Sequence, residues 1–265
     1  MSTATAVPTA HAAALAPRAA LLPSLGAVYR AQLSRARVSR IPLLFVATFQ
    51  SLGIMVMLRG VVSTDDTEAV RDVVAGSSVL VVAFVALNLL AQYFGRLRAS
   101  GGLDHYATLP VPAASVVLGT AAAYASFTVP GTLLTAAVGC LLFQLSWVHL
   151  WVLLLVVPLA GAALSGLGAA CGLLADRLEI ATLLGQLGMS AALLLGVLPP
   201  SHMPTAIQWL RDLLPSTYGV EALSRSFAAR PDWAAVAADL GVCAGVGVLS
   251  LALATGAYRR AATRA

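Results

Sequence analysis

VVAGSSVLVVAFVALNLLAQYFG, residues 73–95, is a run of 23 residues without a charge, held between Arg71-Asp72 and Arg96. A hydrocarbon core of about 30 Å takes about 20 helical residues to cross, so this run alone reads as a membrane span. Working outward from it, five more blocks of the same kind appear, at 41–58, 113–143, 149–174, 180–198 and 234–258. Only Asp239, near one end of the last block, carries a formal charge within them. The 265-residue chain is 59% hydrophobic and 10% charged, too few charges to clothe a soluble protein of this length. The sequence therefore predicts an all-α integral membrane protein with six transmembrane helices.

The block at 113–143 tests that count. As one helix it would be about 46 Å long, well over one bilayer, and Pro130-Gly131 sits near its middle. Two crossings would leave only about 15 residues each, too short for either, so one kinked or broken span is expected.

With six spans both termini lie on one side. All 16 basic residues are arginine. Eleven of them fall on the terminal side: Arg18, Arg30, Arg35, Arg37, Arg40, Arg96, Arg98, Arg177, Arg259, Arg260 and Arg264. The other five (Arg59, Arg71, Arg211, Arg225 and Arg230) are opposite, together with eight of the 11 acids. The positive-inside bias places both termini in the cytoplasm. The net charge of +5 is thus a matter of topology, and with no basic stripe interleaved with aromatics no nucleic-acid partner is expected.

Cys140, Cys171 and Cys243 all fall inside spans, which argues for buried packing residues rather than a disulfide framework. His11, His105, His149 and His202 are scattered without ligand spacing, so no metal site is expected. No Ser/His/Asp constellation or paired carboxylates suggest a catalytic site. A phosphate-binding Gly-x-x-x-x-Gly-Lys-[Ser/Thr] loop needs a lysine, and a chain without lysine cannot contain one.

Residues 1–23, rich in Ala, Thr and Pro and without a basic region ahead of any apolar core, read as a disordered cytoplasmic tail rather than a secretory signal. In residues 24–38, Leu25, Val28, Tyr29, Gln32, Leu33 and Ala36 share one helical face. This describes an interfacial amphipathic helix; a basic flank that only sets topology is the competing reading.

Two connections carry more than a connection needs. Between the second and third spans, Leu103, Tyr106 and Leu109 recur at near-helical spacing, opened by Gly101-Gly102 and closed by Pro110, with Asp104 in the first turn where a carboxylate suits the helix dipole. A short amphipathic helix over about 100–110 is expected, with a smaller elbow at Asp176-Arg177 after the fourth span. On the opposite side, Pro199-Pro200 is followed by about 33 residues holding two short amphipathic pieces. Ile207, Trp209, Leu210, Leu213 and Leu214 mark one; Val220, Leu223 and Phe227 mark the other. Short outer re-entrant or interfacial helices are expected there, with Trp209 and Trp233 at headgroup level.

Taken together, residues 24–260 resemble an ABC-2-type transporter permease of the drug- and lipid-exporting branch, followed by a short tail at 261–265. The family's first cytoplasmic loop runs Arg-Glu-x-Gly-Thr-Leu-Glu and then Leu-x-x-Pro-Val. Here it reads Arg98-Ala99-Ser100-Gly101-Gly102-Leu103-Asp104 and then Leu109-Pro110-Val111. A family Leu-Pro-x-x-Tyr segment is matched by Leu214-Pro215-Ser216-Thr217-Tyr218, with Glu221 and Arg225 after it, in the expected outer helices. Ala99 and Gly102 replace the usual glutamate and threonine, so polar contacts at those positions do not carry over. The resemblance implies two ATPase subunits beneath the membrane, with ATP and Mg on them and no cofactor in this chain. It implies a second permease subunit, itself or a related chain, and an amphipathic small molecule or lipid, such as a drug or antibiotic, moved out of a bacterial plasma membrane. On that reading Gly101, Gly102, Leu103, Asp104, Tyr106, Leu109, Asp176 and Arg177 couple to the ATPase.

The substrate path is expected among uncharged polar and aromatic residues of the first, second and fifth spans: Phe45, Phe49, Gln50, Asn88, Gln92, Gln186 and Ser190. An amide in hydrocarbon is costly unless paired, so each must face a neighbouring helix or a cavity. Interhelical hydrogen bonding is the alternative role. Gly161, Ser165, Gly168 and Gly172 likewise permit close approach either between subunits or within one. The rival class is a secondary transporter or channel without an ATPase. It would call for ionisable groups deep in the membrane, and none appears in the sequence blocks.

Overall fold

In the computed structural model, which describes residues 19–39, 41–60, 62, 66–197, 207–209, 211 and 214–264, all regular structure is helical. The run that decides the fold lies within one helix, α3 (Thr67–Ala99), and that helix is the axis of the bundle. It is apolar all round, and 94% of its most apolar 18-residue window is buried. A helix of that composition belongs in a core, because a polar face is what lets a helix meet water. Around it pack α2 (Ile41–Arg59), α5 (Ala113–Phe143), α6 (Leu153–Leu174, entered through a 3₁₀ turn at Leu150–Val152), α7 (Leu178–Val197) and α8 (Pro215–Ser226). The last helix, α9 (Trp233–Arg264), lies mainly along α6; α1 (Leu21–Ser39) lies along α5, and the short α4 (Gly102–Ala107) follows α3.

Among the described residues, five helical stretches are long and apolar enough to cross a membrane: Thr67–Ala99, Ala113–Phe143, Leu150–Leu174, Leu178–Val197 and Trp233–Ala262. The described apolar part of α2, Leu44–Arg59, is shorter. The protein is an all-α integral membrane protein, and its outward faces suit hydrocarbon. Phe45 and Phe49 on α2, Leu187 and Leu194 on α7, and Val248 and Leu253 on α9 are all exposed.

Several boundaries differ from the sequence reading. Helix α3 begins six residues before 73–95, because Asp66 caps it, accepting a bond from the Ala69 amide at 3.1 Å, and Glu68 follows in the first turn. That extension brings Asp72 onto the buried axis. Midway, the α-helix widens into a π-helical turn at Phe84–Leu89. Helix α5 runs unbroken through Pro130 and ends where Gln144 turns left-handed (φ 56°), leaving the Leu145 amide to bond the Cys140 carbonyl at 3.0 Å. Of the expected tail at 1–23, residues 1–18 lie outside the described residues, and α1 starts within it, at Leu21. The calls on Leu210 and Leu213 also fall outside the described residues.

Helix α1 is built into the bundle as well as amphipathic. Gln32 is 1% exposed and its amide donates to the Tyr93 hydroxyl on α3 at 2.6 Å, while the Tyr29 and Ser126 hydroxyls lie 3.1 Å apart. A side chain added at Gly119 of α5 would meet Val28 and the Leu25 carbonyl at 3.0 Å, so this glycine lets the two helices touch. The glycine stripe of α6 also packs within the chain. A methyl at Gly168 would strike the Ala86 carbonyl, and one at Gly172 the Ala91 carbonyl, both on α3. Close approach there joins α6 to the bundle axis.

Candidate functional site

Two groups of candidate residues lie at the two ends of α3. At the α4 end, Gly101 takes a left-handed conformation (φ 69°) and reverses the chain out of α3, so that α4 folds back under the bundle. Its apolar face is spent on this chain. Leu103 is 2% exposed and shares a core cluster with Phe94, Val116 and Tyr258, with Tyr106 packed against the edge. Leu109, beyond the helix, is exposed. The expected face of Leu103, Tyr106 and Leu109 is therefore split between an inward anchor and an outward residue. The Asp104 side chain lies outside the described residues.

Arg98, in the last turn of α3, connects this elbow to the other one. Its Nη1 donates to the Leu173 carbonyl at 2.7 Å and the Ala175 carbonyl at 2.9 Å, and its Nη2 to Asp176 Oδ1 at 2.9 Å. Those carbonyls end α6, where the helix has no amides left to satisfy them. One guanidinium thus holds together the two elbows that the sequence marks, 101–109 and 176–177. Arg177 is exposed beside it. Sequence reading placed Arg98 only in a motif; its position three residues before the left-handed glycine was the available signal.

The α8 end holds a network of charges. Pro215 opens α8, and the helix buries Val220 and Leu223 against the core while turning Glu221 toward two arginines. Glu221 pairs with Arg211 at 2.9 Å and with Arg225 at 3.1 Å; Arg225 also reaches Asp239 on α9 at 2.7 Å. The Arg211 side chain is 8% exposed and that of Asp239 is 9% exposed, so each charge depends on its partner. Arg211 further donates from Nε to the Leu195 carbonyl of α7 at 3.1 Å. Beside the network, Ser224 donates to Asp72 of α3 at 2.5 Å. Four helices, α3, α7, α8 and α9, are pinned by these contacts. The sequence-marked Glu221 and Arg225 are both in it, and Tyr218 lies half-buried one turn before. Arg211 and Asp72 were missed, since nothing in their spacing placed them together. Outside this network Trp151 and Trp233 stack at 5.6 Å, with His149 edge-on to Trp233 at 5.3 Å. Trp209 is 76% exposed, as an interfacial ring would be.

The expected path residues divide. Phe45 and Phe49 stack at 6.0 Å and line, with Thr48, Pro130, Gly131 and Leu134, a 240 Å³ cleft between α2 and α5. Asn88 sits in the π turn, buried, and accepts from Gln92 at 2.7 Å, so the two amides satisfy one another in part. Gln50 is half-buried on α2, whereas Gln186 and Ser190 are exposed on α7, on the other side of α3. Within one chain these residues do not converge on a single cavity.

The family model described as ABC-2 type transporter matches residues 25–227. No curated protein matches the chain.

Proposed function

The chain belongs to the ABC-2 type transporter family, and from that premise we propose that it is the membrane half of an ATP-driven exporter for an amphipathic small molecule or lipid. As a member it is a multi-pass membrane permease of an ABC transporter. The proposal adds that ATP and Mg act on a separate ATPase present in two copies, beneath the α4 end, with both termini in the bacterial cytoplasm. It also takes α2, about 28 Å long, as the sixth span. A second permease subunit completes the unit, and Gln186 and Ser190, turned away from their own bundle, contribute to a path shared between the two subunits with Phe45, Phe49, Gln50, Asn88 and Gln92.

The observation that carries this reading is the Arg98 link. A coupling device must move α3 when something pushes from outside the membrane, and the elbow from Gly101 to Leu109 is the direct continuation of α3. In this reading Leu103 and Tyr106 bind the elbow to the bundle, Leu109 and Arg177 meet the ATPase, and Arg98 makes the two elbows move together. The test is reconstitution of the permease, with an ABC-type ATPase that co-purifies with it, in liposomes loaded for ATP-dependent export of a fluorescent amphiphile. Leu109→Asp is expected to abolish ATPase co-purification and export while leaving the melting temperature unchanged. Export that continues without any ATPase, driven by an ion gradient, would overturn the reading in favour of a secondary transporter.

A further inference from the structure

A 500 Å³ groove lies between α5 and α6, with Leu25 of α1 and Leu251 of α9 on its rim. Its lining on α5 runs from Leu118 to Leu133, about 22 Å of helix. That length exceeds the roughly 15 Å depth of one leaflet's hydrocarbon, half of a core about 30 Å thick, so the groove is long enough to take an acyl chain from one leaflet. The hollow exists because Ala122 and Ala125 face Ala162 across it, and side chains that stop at Cβ leave the space unfilled.

The chemistry of the wall excludes a polar occupant. Its one side-chain hydroxyl belongs to Ser126, which donates to the Ala122 carbonyl at 2.9 Å and lies 3.1 Å from the Tyr29 hydroxyl. A buried water needs two to four polar partners, and this groove has none to spare. The helices that form it, α5, α6 and α9, are three of those able to cross a membrane, so its open side faces bilayer hydrocarbon. Leu25 brings α1 to the groove, and the exposed Arg30 puts on that helix a positive charge of the kind that pairs with a headgroup phosphate.

We propose that the groove binds one acyl chain of a phospholipid from the leaflet that contacts α1, its headgroup lying beside that helix. The site is separate from the transport path, and the proposal requires only that α5, α6 and α9 cross the membrane. The lipid completes the packing of α1 against α5 and α6, which protein atoms alone leave open.

The test uses the full chain in nanodiscs containing a phospholipid with a photoactivatable diazirine in its acyl chain, followed by peptide mapping. Labelling within 118–133 and 154–162 is expected to exceed labelling of the exposed α9 residues Leu249 and Leu253 several-fold, and to be competed by unlabelled phospholipid. Ala122→Phe should reduce the groove labelling to the level of Leu249 and Leu253. Ala122→Leu, a milder change at an exposed position, should reduce it in part without altering the melting temperature. Groove labelling equal to that of Leu249 and Leu253, or unaffected by Ala122→Leu in folded protein, would overturn the proposal. So would competition by a transported amphiphile but not by phospholipid, since the groove would then belong to the substrate.

Discussion

Arginines stand near both ends of α3 and are themselves held in opposite ways. At the α8 end, Arg211 and Arg225 meet carboxylates in a network whose members Arg211 and Asp239 are nearly out of solvent. At the α4 end, Arg98 meets two backbone carbonyls and a single carboxylate, Asp176, whose side chain is 85% exposed. A buried charge that loses its partner cannot be rescued by water, whereas an exposed one can. The α8 end is therefore expected to be the fixed point, and the α4 end the easier of the two to shift.

Glu221→Ala is the largest expected break in that contrast. It removes the one carboxylate shared by Arg211 and Arg225, leaving Arg211 with the Leu195 carbonyl as its only remaining side-chain contact among those described. Breaking a buried pair in this way costs about 3–5 kcal/mol. The measurement is thermal or denaturant unfolding in detergent. A loss no larger than that of Arg98→Ala would mean that the α8 end is not the fixed point. The double change Arg211→Met with Glu221→Leu should recover part of the loss, because it leaves fewer charges stranded.

The second break falls between the two ends. Gly168 faces the Ala86 carbonyl inside the π turn, and a methyl there has no space unless α3 and α6 separate. Gly168→Ala should cost about 1–3 kcal/mol, as overpacking does in a tight core. Gly241→Ala on α9, where nothing lies within 4 Å, should leave stability unchanged or slightly raised. Equal effects at the two glycines would show that α3 and α6 do not touch through the π turn.

How far the sequence could be read follows from the kind of force involved. The helical class and the membrane character were legible because only long apolar helices suit a hydrocarbon core. Local signals were legible too: Gly101-Gly102 marked the turn out of α3, and Val220 and Leu223 marked the apolar face of α8. The π turn was not, since nothing in Phe84–Leu89 departs from an ordinary apolar helix. Contacts between distant segments were also invisible: Asp72 to Ser224, Gln32 to Tyr93 and Arg98 to the end of α6 depend on how helices rotate about their axes. Leu103 shows the limit best. Its spacing with Tyr106 marked an apolar face, but periodicity cannot say whether such a face meets a partner or the chain's own core.

Arg98→Ala is expected to have a smaller effect on stability than either change above, and a large one on transport. It removes three hydrogen bonds, yet the side chain is 31% exposed and water can replace much of what is lost, so a cost of about 1 kcal/mol is expected. Under the exporter reading, ATP hydrolysis should persist while export falls, because the elbows no longer move as one. Arg98→Lys should recover little, since an ammonium cannot reach two carbonyls and a carboxylate in one plane. Export retained in proportion to folded protein would show that the link is structural only.

The smallest effect belongs to Asp176→Ala. The Arg98–Asp176 pair is 2.9 Å long but stands in solvent on the carboxylate side, where ion pairs contribute about 0–1 kcal/mol and are screened by salt. The Leu173 and Ala175 carbonyls remain to hold Arg98 in place, so the elbow should keep its position without the carboxylate. Unfolding should shift by no more than about 0.5 kcal/mol, and the difference from wild type should vanish as ionic strength rises. Comparing the two substitutions then separates the parts of the link. If Asp176→Ala impairs export as much as Arg98→Ala does, and does so at high salt as well, the carboxylate rather than the α6 carbonyls is what joins the elbows. The contrast between the two ends of α3 would then be one of exposure alone, with an ion pair at each.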